Sequence, residues 1–225
     1  MPKYVTYRKL KRNMRNTMFK KLLFTGLFLS LSSLTFAQSE SMEKKLETAT
    51  FGAGCFWCVE AVYELVEGVE YVESGYSGGH VEDPSYKQVV RGNTGHVEVA
   101  RVHYDPSVIS YEQLLEIHWH SHDPTTLNRQ GNDVGEHYRS VIFFHNEEQK
   151  RIAEASLKKT DKSGLWDDPI VTTIEPLKNY YVAENYHQNY FENNPNAGYC
   201  SYVIAPKIKK FKKEFKHLLK KTSSD

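Results

Sequence analysis

The chain has 225 residues, a length that suits one domain of ordinary size. Its formal charge of +1 hides an asymmetry: eight of the 29 Lys and Arg residues fall within the first 21 positions, where no acid occurs, so beyond residue 37 the balance is 21 basic against 28 acidic, a net −7. An acidic body repels a phosphate backbone, which argues against nucleic-acid binding.

The basic start leads into the apolar run LLFTGLFLSLSSLTFA and then into the polar QSESMEKK. That order, with Thr35 and Ala37 at the small-residue positions, predicts a secretory signal peptide over residues 1–37, cut after Ala37. Met18 is an alternative start, since MFKKLLF alone supplies a basic region. The apolar run falls short of the ~20 residues that span a bilayer, so no stable membrane insertion is expected after cleavage. The expected location is exported, in the periplasm or cell envelope. Residues 38–45 read as a polar linker and residues 46–225 as the domain.

LETATFGAG reads as a strand running into a glycine turn, and CFWCVEAVYELV carries Val59, Val62, Tyr63 and Val66 at helical spacing. VEYVESGYSGG is a strand, and DPSYKQVVRGN a short helix with Asp83 or Ser85 as its cap. HVEVARVHYDP alternates apolar and polar residues as a strand does. SYEQLLEIHWHSHDP is an amphipathic helix stopped at Pro124, and TTLNRQGNDVGEH a polar loop. A strand (YRSVIFFH), a helix (NEEQKRIAEASLKKT) and a strand (IVTTIEPL) follow. NYYVAENYHQNYFENNPNAGYC, rich in Tyr and Asn, is expected to open with a short helix. The lysine-rich tail forms an amphipathic helix with Ile208, Phe211, Phe215, Leu218 and Leu219 on a face that packs on the domain. There is no repeat, second domain or Gly-rich phosphate loop. The pattern is a single α+β domain, a mixed sheet with packed helices.

The chemistry centres on GCFWC. Three cysteines, Cys55, Cys58 and Cys200, are an odd number for an exported chain, which points to at least one reactive thiol. Cys55 stands where glycines end and helical periodicity begins, and a helix N-terminus lowers a thiol's pKa. From the residues alone three readings stand: a thioredoxin-like dithiol, a zinc site formed by the cysteines with a histidine, and a single nucleophile with an unequal neighbour.

GCFWCVE, with SGYSGG, PSYKQV, GHVEV, HDPTTLNRQGNDVGEHYRSVIF and ENYHQNYF in order, resembles peptide methionine sulfoxide reductases of the A type over residues 49–211. The resemblance implies a two-layer mixed sheet with packed helices, a ferredoxin-like α-β plait. It implies reduction of methionine-S-sulfoxide, free and in proteins, with no metal and no organic cofactor. Reducing equivalents would come from a thioredoxin-like dithiol, and the simplest assembly is a monomer.

The resemblance also implies the site. Cys55 would be the nucleophile and would become a sulfenic acid. Glu98 would bind and protonate the sulfoxide oxygen, which requires a raised pKa. Tyr86 and Tyr138 would donate to that oxygen, Asp133 would hold the polar side, and Phe56 and Trp57 would wall the methyl pocket. Cys200 or Cys58 would resolve the sulfenic acid. Cys200, in a segment that reads as mobile, is the expected first partner, and Cys58 a shuttle to the external reductant. His118 and His122, four apart in HWHSHD, look like a ligand pair, but the resembling family gives such residues no metal role. His187 is expected to be a hydrogen-bonding neighbour of the site.

Overall fold

Strand β1 (Glu47–Ala53) passes from exposed to fully buried along its length, because its second half is hydrogen-bonded on both edges and covered by helices. The computed structural model describes residues 45–221. The expected signal peptide, its expected cleavage site and nearly all of the expected linker lie outside the described residues. After β1 come α1 (Phe56–Tyr63), β2 (Val69–Ser77), α2 (Tyr86–Val89), β3 (Val97–Tyr104) and α3 (Tyr111–Ser121). A small hairpin of β4 (Arg129–Gln130) and β5 (Asp133–Val134) precedes β6 (Ser140–Phe144), α4 (Glu147–Asp161), β7 (Thr173–Pro176) and β8 (Tyr181–Val182). The last helices are α5 (Tyr190–Asn193) and α6 (Ala205–Glu214).

The main sheet runs β7-β6-β1-β3-β2-β8. Its inner four strands, β6-β1-β3-β2, are antiparallel to their neighbours, the βαββαβ order of a ferredoxin-like plait. β7 adds in parallel to β6 and β8 antiparallel to β2, which makes the sheet mixed. The α+β architecture expected from the sequence is the one observed.

Period-two alternation decides what each face holds. Ala49, Phe51 and Ala53 of β1 join Ala100, Val102 and Tyr104 of β3 in the main core. Helices α1 and α3 cover that face: the Phe51 ring stacks on Tyr63 of α1 at 5.4 Å and on Tyr111 of α3 at 6.2 Å. The opposite face carries a smaller cluster, Val97, Val99, Val141 and Phe143, with Leu177 and Tyr180 packed against it. Helix α3 starts at a capping box, where the Gln113 amide donates to Ser110 Oγ and Gln113 Oε1 accepts from the Ser110 amide. Ser85, one of the two expected caps, opens α2.

Four local expectations differ from what is found. The polar loop after Pro124 contains the β4–β5 hairpin. The Tyr/Asn-rich segment opens with strand β8 and a 3-10 turn at Asn185–His187, and its short helix comes only at Tyr190. The reason is tertiary: the edge of β2 takes this segment, with the Ala183 amide donating to the Ser74 carbonyl at 2.9 Å. Cys200, expected in a mobile stretch, is fully buried in a widened helical turn, Cys200–Ile204, that runs directly into α6. In the basic tail Ile208, Phe211 and Phe215 are buried and Leu218 and Leu219 lie against the core, but the helix is shorter than expected: α6 ends at Glu214, Leu218 closes a 3-10 turn, and Leu219 bridges Val66. Among the described residues, no helix is long and apolar enough to cross a membrane.

Candidate active site

Where β1 ends, the chain must turn sharply into α1, and Gly54 makes the turn at φ +84°, a region other residues enter only with strain. A Cβ there would also lie 2.6 Å from the Cβ and Cγ of Gln130 on the hairpin. Gly54→Ala is expected to cost about 1–3 kcal/mol. A lowered urea midpoint, together with a fall in activity as the hairpin is pushed off Cys55, would record it.

Cys55 follows as the residue capping α1, 7 % exposed. The first amide of α1, Phe56 N–H, donates to Glu98 Oε2 at 3.0 Å. Glu98 comes to this point because β3 alternates: the register that turns Ala100, Val102 and Tyr104 into the helix-covered core turns Glu98 inward too. It is 1 % exposed. Burial pushes its carboxyl up to about 8, with the nearby Asp133 and Cys58 charges adding and the Phe56 amide opposing. At neutral pH Glu98 is therefore mostly a neutral acid.

Cys55, Phe56, Trp57, Tyr86, Glu98, Asp133, Tyr138 and Tyr199 line one cavity of about 190 Å³. All the expected site residues except the two resolving cysteines thus meet there. Tyr86 is pushed up to about 12, by burial first and then by the Glu98 and Cys55 charges, and Tyr138 is raised for the same reasons. Both phenols stay protonated and able to donate. Phe56 stacks on Tyr86 at 6.5 Å, and the Trp57 indole lies on the Tyr190 ring at 3.6 Å and 5°. His187 accepts the indole N–H at 3.0 Å, so it is the hydrogen-bonding neighbour expected. Burial lowers its pKa, leaving the imidazole neutral.

The two thiols of GCFWC differ from the sequence expectation. Burial, then the hydrogen bond with Cys58 and the nearby carboxyl, raises Cys55 well above the ordinary thiol value. Cys58 is lowered to about 7, chiefly by the hydrogen bond from Cys55, with burial opposing and Lys207 assisting. The amide that would have favoured a Cys55 thiolate is instead given to Glu98. Between the two thiols the negative charge is therefore favoured on Cys58 and the proton on Cys55. Burial raises the Cys200 thiol, and the charge of Cys58 adds to the rise.

One lining residue was missed in the sequence, Tyr199. Its hydroxyl donates to Asp133 Oδ2 at 2.6 Å and stands 3.8 Å from Cys58 Sγ. The signal was its place directly before Cys200, obscured because it is one of 15 tyrosines.

His118 and His122 are both buried. His122 donates from Nδ1 to the His118 carbonyl at 2.7 Å, and its Nε2 meets Ser140 Oγ at 2.7 Å. Burial drops His122 to about 4, so this histidine is a neutral structural link. Among the described residues, no group of three or more His, Cys, Asp or Glu side chains could hold a metal ion.

Paired buried thiols beside a carboxyl that keeps its proton, with phenols aimed at the same space, make a thiol-based oxidoreductase site. Residues 47–219 match the family described as peptide methionine sulfoxide reductase. The peptide methionine sulfoxide reductase MsrA of Leptospira borgpetersenii is 56 % identical over 168 residues, 75 % of this chain and 94 % of its own. That of Acinetobacter baumannii strain AYE is 50 % identical over 175 residues, 78 % of this chain and 99 % of its own. Among solved structures, reduced Mxr1 from Saccharomyces cerevisiae superposes with a TM-score of 0.64 at 38 % identity, covering 69 % of this chain and 90 % of that one. Methionine sulfoxide reductase A of Corynebacterium diphtheriae gives 0.61 at 36 % identity, covering 70 % of this chain and 78 % of that one. The chain belongs to the peptide methionine sulfoxide reductase family.

Proposed function

We propose that this enzyme reduces methionine-S-sulfoxide, free and within proteins, through a Cys55 sulfenic acid. The observation that carries the reading is Glu98, a buried carboxyl hydrogen-bonded to the amide of Phe56 in the same small cavity as Cys55, Tyr86 and Tyr138. The sulfoxide oxygen would accept from both phenols and from the Glu98 acid, and the S-methyl group would lie against Phe56 and Trp57. Protonation of the oxygen by Glu98 makes the substrate sulfur electrophilic as Cys55 passes its own proton to the thiolate of Cys58. Cys55 then attacks that sulfur, and oxygen transfer leaves methionine and Cys55 sulfenic acid. A second thiol then attacks the sulfenic sulfur, its proton leaves with the hydroxyl as water, and a disulfide forms, while Glu98 regains its proton from solvent. An external dithiol, thioredoxin-like, returns the enzyme to its reduced state. No metal or organic cofactor enters this scheme.

The Cys55–Cys58 hydrogen bond, and a buried Cys200 that feels the charge of Cys58, support Cys58 as first resolving partner and Cys200 as second. This order reverses the sequence expectation. Asp133, held by Tyr199, would fix the polar rim.

A chiral methyl sulfoxide with dithiothreitol tests the reading. Wild type should convert the S epimer and Cys55→Ser should convert neither. An inactive wild type would overturn the proposal. The basic and apolar leader supports export and repair of oxidised envelope proteins. N-terminal sequencing of the mature protein should begin at Gln38, and recovery of uncut chain in the cytoplasm would remove that part.

A further inference from the structure

Glu60 is a buried carboxyl, 1 % exposed, that the reaction sequence above leaves without a task. It lies on α1 one turn beyond Phe56 and accepts two backbone amides from a distant segment. Asn189 N–H donates to its Oε1 at 3.0 Å and Tyr190 N–H to its Oε2 at 3.3 Å. Asn189 is held at φ 51°, in the left-handed region, so this attachment aims Tyr190. The Tyr190 ring then lies flat on Trp57 at 3.6 Å.

The rest of this segment is tied to the site as well. Glu184 accepts from the Tyr86 amide at 2.9 Å and from the Tyr76 hydroxyl at 2.8 Å. Gln188 bonds both the amide and the carbonyl of Ser74 at 2.9 Å. Those ties hold the front of the segment. Only the bonds to Glu60 hold the amides at its Tyr190 end to α1.

We propose that Glu60 is a positioning residue for the substrate's methyl group, acting through the Asn189 and Tyr190 amides to seat Tyr190 on Trp57 and so set the wall of the Cys55 cavity. The inference rests on Trp57 being that wall, as proposed above.

Burial pushes Glu60 up to about 7, with the two amides and Ser74 opposing. Glu64 on the same helix adds to the rise. Glu64, Glu192 of α5 and Lys212 of α6 stand around the adjoining cavity of about 420 Å³. The Tyr180 phenol also feels the Glu60 charge. Above that pH the carboxylate accepts both amides. Below it one oxygen carries a proton that opposes an amide donor, one bond is lost, and the wall slackens.

The Cys55–Cys58 pair titrates in the same range, so the pH experiment uses Cys55→Ser/Cys58→Ser protein. Trp57 emission, taken as the difference from the same protein carrying Trp57→Phe, is followed from pH 5 to 9. A transition near pH 7 is expected, retained in Glu192→Gln and absent from Glu60→Gln. In enzyme with its thiols intact, Glu60→Gln should raise KM for a methyl sulfoxide about 3–10-fold with kcat within about twofold, since a wall binds ground and transition states alike. Tyr190→Leu should give the same KM change, and decides the matter if Glu60→Gln does not fold. An emission transition that persists in Glu60→Gln overturns the proposal, as does an unchanged KM in both variants. A wild type without sulfoxide activity sinks the functional reading instead, and leaves the emission experiment to judge the Glu60 linkage.

Discussion

Glu98→Gln is expected to lower kcat/KM about 10²–10⁴-fold, the range in which a positioned proton donor contributes. Glutamine fills the same space and still accepts the Phe56 amide through its carbonyl, so the loss reads the proton and not the packing. The wild-type profile should fall as pH rises through about 8, where Glu98 ionises, and should rise through about 7 as the Cys55–Cys58 pair loses its proton. Glu98→Gln should retain the acid limb and lose the alkaline one. An alkaline limb that survives the substitution would assign the proton to another group.

Stability carries the same signature with a defined sign. The Glu98 pKa is raised on folding, so the native state holds its proton to higher pH than the unfolded chain does. Stability is then lost as pH climbs from the ordinary carboxyl range to about 8. Glu98→Gln should flatten that slope in urea unfolding measured between pH 5 and 9.

The second large effect separates the cysteines. With a thioredoxin-like donor, Cys58→Ser should lower steady-state turnover at least about tenfold and accumulate Cys55 sulfenic acid, trapped by dimedone. Cys200→Ser should still release one equivalent of methionine per enzyme and then accumulate a Cys55–Cys58 disulfide, visible in peptide mapping. The physical ground is adjacency: Cys55 and Cys58 already share a hydrogen bond, whereas Cys200 is buried in the turn that runs into α6. Full turnover in Cys58→Ser with a direct Cys55–Cys200 disulfide would return the order to the one the sequence suggests.

What could be read in advance follows from how local each signal is. The alternation of VEVARVHY and the periodicity of YEQLLEIHWHS are written within a few residues, and β3 and α3 appear where those patterns lie. The β4–β5 hairpin and β8 carry too few residues for any pattern: the hairpin closes on itself, Gln130 against Asp133, and β8 exists because Tyr181 pairs with the distant Tyr76 of β2. The site residues were legible through the ordered motifs around GCFWC, not through their chemistry. Glu98 on an alternating strand reads more readily as solvent-facing, and Tyr199 is hidden among many tyrosines.

The order of the longer elements and most of the candidate reacting groups were thus legible in the sequence. Their protonation was not. Whether Glu98 keeps a proton, and which of Cys55 and Cys58 carries the charge, depends on burial and on the Phe56 amide. Those partners converge only when β3 pairs with β1 and α1 closes over both. A pKa is set by everything within a few ångströms, whatever its distance along the chain, and only the tertiary structure assembles that neighbourhood.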